Sequence, residues 1–211
     1  MRRIEKEELR KLTVFVVEQF FEKEQFQVML KGIEPQKARQ FAEEFFYPQL
    51  CYLYRQGDIF IDDKNISGVI IGVDSKRKTF FSKIPLMFST NRAFKMLSKT
   101  ERELAIQGVK TLQEIHNAKW FKKYCQVAPY DFSTLAIDKV SRGTGLCREM
   151  LEHLFDYAKP FSPNITVITH SKRNIPMYEH FGFKLMESQE ARDKSIAEYR
   201  MIKKTEQQGN L

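Results

Sequence analysis

Residues 142–147, Arg-Gly-Thr-Gly-Leu-Cys, constrain this chain more than any other stretch, because they join an apolar β-branched run to an amphipathic one. Upstream, Ser133-Thr134-Leu135-Ala136-Ile137 is short and uncharged, the pattern of a strand buried on both faces. Downstream, Leu146, Met150, Leu151, Leu154, Phe155 and Ala158 recur at three- and four-residue steps, with Arg148, Glu149, Glu152 and Asp156 on the remaining face, which predicts a core-packed helix. The first turn of a helix leaves backbone N–H groups without intrahelical partners and carries the positive end of the peptide dipoles, so anions dock there. Gly143 and Gly145 permit backbone angles that a Cβ penalises, and they clear side chains from those amides. Glycine pairs also punctuate turns of no function, so the turn alone does not settle a phosphate site. It is not a P-loop, since Leu146-Cys147 stands where Lys-Ser/Thr is needed. Nor is it a dinucleotide fingerprint, since Arg148 replaces the third glycine.

Beyond a loop at 159–163, Asn164-Ile165-Thr166-Val167-Ile168-Thr169-His170 alternates and reads as a second strand, completing a strand–helix–strand unit. A short helix is predicted over 171–183, with Pro176 in its first turn and Gly182 ending it, and a further strand should begin at Phe183.

Three motifs now stand in order: Leu-Ala-Ile-Asp at 135–138, Arg142-x-x-Gly145-x-Cys147, and Asn174-x-x-x-Tyr178-Glu179-x-x-Gly182-Phe183. In order and spacing this set resembles the GNAT superfamily of acyl-CoA-dependent N-acetyltransferases, over about residues 129–203. The resemblance implies a mixed α/β fold: a central, mainly antiparallel twisted sheet flanked by helices, with a splayed coenzyme-binding strand. It further implies that Arg142, Gly143, Thr144, Gly145, Leu146 and Cys147 wrap the coenzyme A pyrophosphate with main-chain amides. Leu135 and Ile137 would offer backbone to the pantetheine arm, an amide near Leu135 or Ala136 would polarise the thioester carbonyl, and Asn174 would contact the coenzyme. Tyr178 matches the tyrosine assigned in the family as general acid for the departing thiolate. Cys147 departs from the family's Gly or Ala, which puts the tight approach of the coenzyme in question.

The implied activity is acetyl transfer from acetyl-CoA to a primary amine, by direct attack in a ternary complex. A phenol with pKa about 10 is protonated at neutral pH and competent to donate to a thiolate whose conjugate acid lies near about 8.5. The bland alternative places the Tyr178 ring in the core. No residue identifies itself as the base: Asp131, Asp138, Glu179 and His170 all have ordinary roles as charges at element ends. Cys147 has no His or acid spaced as a catalytic partner and is a poor nucleophile candidate.

The three cysteines and four histidines lack metal-ligand or disulfide spacing, so no metal is expected. No run of about 20 apolar residues exists, and the amino terminus lacks an apolar signal region. A soluble, cytoplasmic protein is expected, a monomer or homodimer. The net charge of +8 suits the phosphates of coenzyme A, whereas the basic residues are interspersed among 27 acids without a nucleic-acid-binding motif. Two rival readings remain: a coenzyme-binding or regulatory module of the same fold without turnover, and a basic RNA-binding adaptor.

Residues 1–204 are expected to form one domain, with an acceptor-side half over 1–128, a coenzyme-binding half over 129–204 and a frayed tail at 205–211. Apolar periodicity over 9–30 predicts one long helix or a helix preceded by a short strand. A second helix opens at Glu34-Pro35 and runs to about Gly57, with a kink at Pro48. Residues 58–62 and 66–73 read as a hairpin turned at 63–65, and 91–96 as a short helix. Ser98-x-x-Glu101 caps a helix carrying Leu104, Ile106, Val109, Leu112 and Ile115. Phe80, Phe81, Phe88, Trp120, Phe121 and Tyr124 are candidates for an acceptor pocket, with core packing as the ordinary alternative.

Overall fold

The computed structural model describes residues 1–62, 66–77 and 91–205. Its strands are β1 Arg2–Arg3, β2 Asp58–Ile61, β3 Gly68–Asp74, β4 Tyr130–Ile137, β5 Asn164–Thr169, β6 Lys184–Glu190 and β7 Ala197–Lys204. They form one sheet in the order β1-β2-β3-β4-β5-β7-β6. Every neighbouring pair is antiparallel except β4 with β5. The parallel pair exists because the chain between those strands is a helix, which returns it to the same end of the sheet. The main helices are α1 Leu9–Phe20, α2 Glu24–Met29, α3 Pro35–Gln56, α4 Lys99–Ile115, α5 Leu146–Ala158 and α6 Ile175–His180.

Both faces of the sheet are covered, which is why β2 and β3 are buried at every position. On one face Met150, Leu151, Leu154, Phe155 and Ala158 of α5 pack with Tyr130, Phe132, Ile165 and Val167. These are the apolar helix positions that periodicity predicts. On the other face Leu9, Leu12, Phe15 and Val16 of α1 meet Ile59, Ile61, Val69, Ile71 and Ala136. A third cluster joins α1 to α2, α3 and α4 through Val17, Phe26, Met29, Phe41 and Ala105.

The first half departs from its predicted pattern in two places. The expected long helix over 9–30 is broken at Lys23, whose backbone is extended, and α2 begins there. The break lets Phe26 stack on Phe46 of α3 at 4.8 Å instead of continuing along α1. The capped helix α4 has its Ser98–Glu101 capping box, but it buries Ala105, Gly108 and Thr111 and leaves Leu104 and Ile106 exposed. Small residues win because α2 lies against α4: a Cβ on Gly108 would stand 2.4 Å from the Val28 carbonyl oxygen. Pro48 lies inside α3 without ending it. The hairpin turn at 63–65, the aromatics Phe80, Phe81 and Phe88, and residues 206–211 lie outside the described residues.

One buried carboxylate gathers four elements. Asp58 of β2 accepts from the Tyr130 hydroxyl at 2.9 Å and from the Tyr157 hydroxyl at 2.8 Å, and it pairs with Arg3. Its side chain is fully buried. The Tyr130 ring that reaches it passes over Gly72, where a Cβ would lie 2.2 Å from the ring. Gly72 is therefore fixed by the ring it accommodates.

Candidate active site

Strand β4 pairs with β5 only at Tyr130, Asp131 and Phe132, whereas its pairing with β3 continues to Ile137. Opposite Ile71 and Gly72 stand Thr134 and Phe132, so Ser133 is an extra residue in β4. A bulge bends the strand that carries it. Beyond Phe132 the two parallel strands therefore part, and a fork opens between residues 133–137 and the end of β5. Asp131, expected to flank the strand, lies inside it because β4 starts at Tyr130.

Hydrogen-bond alternation decides what faces the fork. The Asp138 N–H donates to the Ser67 carbonyl at 2.8 Å, and in an antiparallel ladder such pairs recur every second residue. Ala136 and Thr134 thus turn their main chain to β3, while Leu135 and Ile137 turn theirs to the gap. Of the three strand residues in the candidate set, Ala136 has its main chain facing β3, and its side chain packs with α1.

At the top of the fork, Gly143 and Gly145 have φ of +82° and +95°, and a Cβ built on either meets nothing within 4 Å. The turn therefore needs glycine for its backbone angles, and the space beside it is open. Gly145 is the N-cap of α5 and supplies no side-chain cap. Among the described residues, no acceptor takes the main-chain N–H groups of Gly143, Gly145, Leu146, Cys147 or Arg148. Asp138 instead holds the base of the turn by accepting from the Ser141 N–H at 2.7 Å, and the Thr144 hydroxyl donates to the Ser141 carbonyl at 2.7 Å. The Arg142 guanidinium folds back on the Ile137 carbonyl and on Gln19 of α1, each at 3.3 Å. The result is a cluster of free donors at a positive helix end.

Tyr178 of α6 is buried, its ring edge-on to Phe132 and Phe183 at 5.9 and 5.6 Å. It thus sits behind the residue where the fork opens. Burial, and then Cys147 nearby, raise its hydroxyl above the ordinary phenol value. Cys147, in the first turn of α5, is half-buried, and burial pushes its thiol up as well, so it is held as a thiol. Asn174 donates to the Thr169 hydroxyl at 3.0 Å, tying the start of α6 to the end of β5.

Residues 125–205 match the family model of the GNAT acetyltransferase domain. A search of curated proteins returned no match. Among solved structures, the chain is similar to a protein described as histone acetyltransferase HPA2 and related acetyltransferase from Corynebacterium glutamicum. The identity is 18%, the TM-score 0.65, and the match covers 99% of this chain and 97% of that one. It is also similar to PH1933 from Pyrococcus horikoshii, at 16% identity and TM-score 0.57, with 98% and 96% covered. Arylalkylamine N-acetyltransferase 2 from Aedes aegypti is similar at 11% identity and TM-score 0.58, with 97% and 98% covered. At such identities the likeness is one of fold, and it extends over the whole chain.

The fold also brings together side chains that sequence reasoning did not join. Glu198 of β7, with its side chain 1% exposed, accepts from Arg200 at 2.6 Å and meets His116 Nδ1 at 3.1 Å and His170 Nε2 at 4.0 Å. Burial pushes the Glu198 carboxyl up, but the bonds from His116 and Arg200 prevail and hold it below the usual value. His116 ends α4 and lies 82 residues from Glu198, so no local spacing announces the pair. Only the Glu198-x-Arg200 alternation, two charges on one face of a strand, was there to be read. Of the proposed acceptor aromatics, Trp120 is buried, and Tyr124 donates to Glu187 at 3.0 Å; ordinary packing accounts for both. Among the described residues no group of His, Cys, Asp and Glu is arranged to hold a metal ion, and no helix is long and apolar enough to cross a membrane.

Proposed function

We propose that this chain is an acetyl-CoA-dependent N-acetyltransferase whose 1–204 segment works as one domain on a primary amine, by direct attack in a ternary complex. The observation that carries the reading is the continuity of main chain without a strand partner, from Leu135 and Ile137 in the fork to the free amides of Gly143 and 145–148. An acyl-coenzyme A fits this path chemically: a diphosphate needs several N–H donors and room beside glycine, and an amide-bearing arm needs a strand edge. Arg142, Gly143, Thr144, Gly145, Leu146 and Cys147 would hold the diphosphate, Leu135 and Ile137 the arm, and Asn174 the flank. When bound, acetyl-CoA supplies the activated acetyl group.

The remaining work belongs to the chain. The fork orients the reacting carbon, and the Leu135 N–H, which has no strand partner, is available to a carbonyl oxygen gaining charge. The Tyr178 hydroxyl stays protonated at neutral pH and donates its proton to the departing sulfur. A second reading, a coenzyme-binding module without turnover, draws on the burial of the Tyr178 ring in the core.

Two measurements separate them. Stabilisation against heat by micromolar acetyl-CoA is expected under both, by mass action. Release of free thiol in the presence of primary amines is expected only of the enzyme. Absence of stabilisation would refute coenzyme binding altogether.

A further inference from the structure

A histidine follows the β5 lip of the fork. Val167 is the last residue of β5 paired with β4, opposite Phe132, so His170, three residues on, stands near the level of Leu135 across the gap. Ile165 and Val167 point into the core beneath α5, and His170 lies toward the other elements: α2, the end of α4, and β7. There Glu198 of β7 faces its Nε2 at 4.0 Å, His116 shares the same carboxylate oxygen, and the adjoining Ser171 bonds Glu24 of α2 at 2.8 Å. The His170 side chain is 21% exposed and that of His116 51%, with Glu198 buried between them. Among the described residues, His170 Nδ1 has no hydrogen-bond partner. A carboxylate at Nε2 favours the tautomer with its proton there and leaves the lone pair on Nδ1.

We propose that His170 is the catalytic base that takes the proton of the acceptor amine, with Glu198 as its positioning residue. The assignment rests on the acetyl-transfer reading above. In the step, the amine nitrogen forms a bond to the thioester carbonyl carbon, and the C–S bond breaks with its electron pair on sulfur. The amine proton goes to His170 Nδ1, and sulfur receives the Tyr178 hydroxyl proton. His170 then releases its Nδ1 proton to water while Tyr178 regains one from water, leaving an amide and a free thiol. Burial lowers the His170 value below that of an ordinary imidazole; Glu198 opposes this, His116 reinforces it and Glu24 opposes it, so the ring is a neutral acceptor at physiological pH.

The test measures thiol release from acetyl-CoA with three primary-amine probes, phenethylamine, lysine methyl ester and a short peptide with a free amino terminus, over roughly pH 5 to 9. His170→Gln should lower kcat about a hundredfold or more and remove the acid limb of the profile, with KM for acetyl-CoA within about twofold. A coenzyme-free readout is the NMR titration of the His170 ring. Its midpoint should lie below about 6.5, fall further in Glu198→Gln, which removes a favourable charge, and rise in His116→Gln, which removes a repulsive one. The half-exposed His116 variant keeps the test intact if the buried Glu198 variant does not fold. A His170→Gln enzyme as fast as the parent, or a loss of kcat matched by lost acetyl-CoA affinity, overturns the base while leaving acetyl transfer standing. A parent protein that binds acetyl-CoA but releases thiol with none of the probes overturns the transfer reading, and the base with it.

Discussion

Replacing Gly145 by alanine separates backbone strain from ligand binding. The native φ of +95° is one that an L-residue adopts at a cost of about 1–2 kcal/mol, and the new methyl meets no protein atom within 4 Å. Stability should therefore fall by about that amount, or about 2–8 °C in a chain of this size. The methyl would nevertheless project beside the free amides. Loss of one charge-assisted hydrogen bond, about 1.5–3 kcal/mol, weakens acetyl-CoA binding about ten- to a hundredfold. Gly182 supplies the control: its φ is +86°, and a Cβ there meets only the flexible end of Lys203 at 2.9 Å. Calorimetric unfolding and isothermal titration with acetyl-CoA should show Gly182→Ala losing similar stability but no affinity. If Gly145→Ala lost stability and kept its affinity, the turn would not be the diphosphate cradle.

Tyr178→Phe keeps the ring in its aromatic packing and should unfold within about 1 kcal/mol of the parent. Its thiol-release rate should nonetheless drop strongly at unchanged acetyl-CoA affinity, and an undiminished rate would remove Tyr178 from the chemistry. Gly72→Ala drives a methyl into the Tyr130 ring, 2.2 Å away, and should destabilise by about 1–3 kcal/mol or more in denaturant titrations. Tyr130, Tyr157 and Tyr178 all have hydroxyls raised by burial. Their contribution is complete below the unfolded phenol value of about 10 and is lost as pH climbs from there toward the native values, so unfolding midpoints should fall steeply on the alkaline side.

The C-terminal part of the chain was the more legible in sequence because its signals are local. Strand, glycine turn and amphipathic helix follow one another, and α5 buries the residues its periodicity marks. The fork was available only through the family resemblance, since Ser133 looks like any strand residue until its register against β3 is known. The N-terminal part was less legible for a related reason. Gly108 and Ala105 seat α4 on α2 by being small, so the apolar pattern of Leu104 and Ile106 points away from the buried face. The His116–Glu198–His170 group depends on where α4 ends relative to β7, a long-range fact with no short-range trace.

The Asp58 cluster bears on the fork from its closed end. Tyr130, the first residue of β4, is fastened through Asp58 to Arg3 and Tyr157, while the far end of the same strand has a neighbour on one side only. Such a strand behaves as a cantilever, stiff at its root and compliant at its tip. Any widening or narrowing of the fork would then be confined to the segment after Ser133, with the aromatic floor at Phe132 held in place.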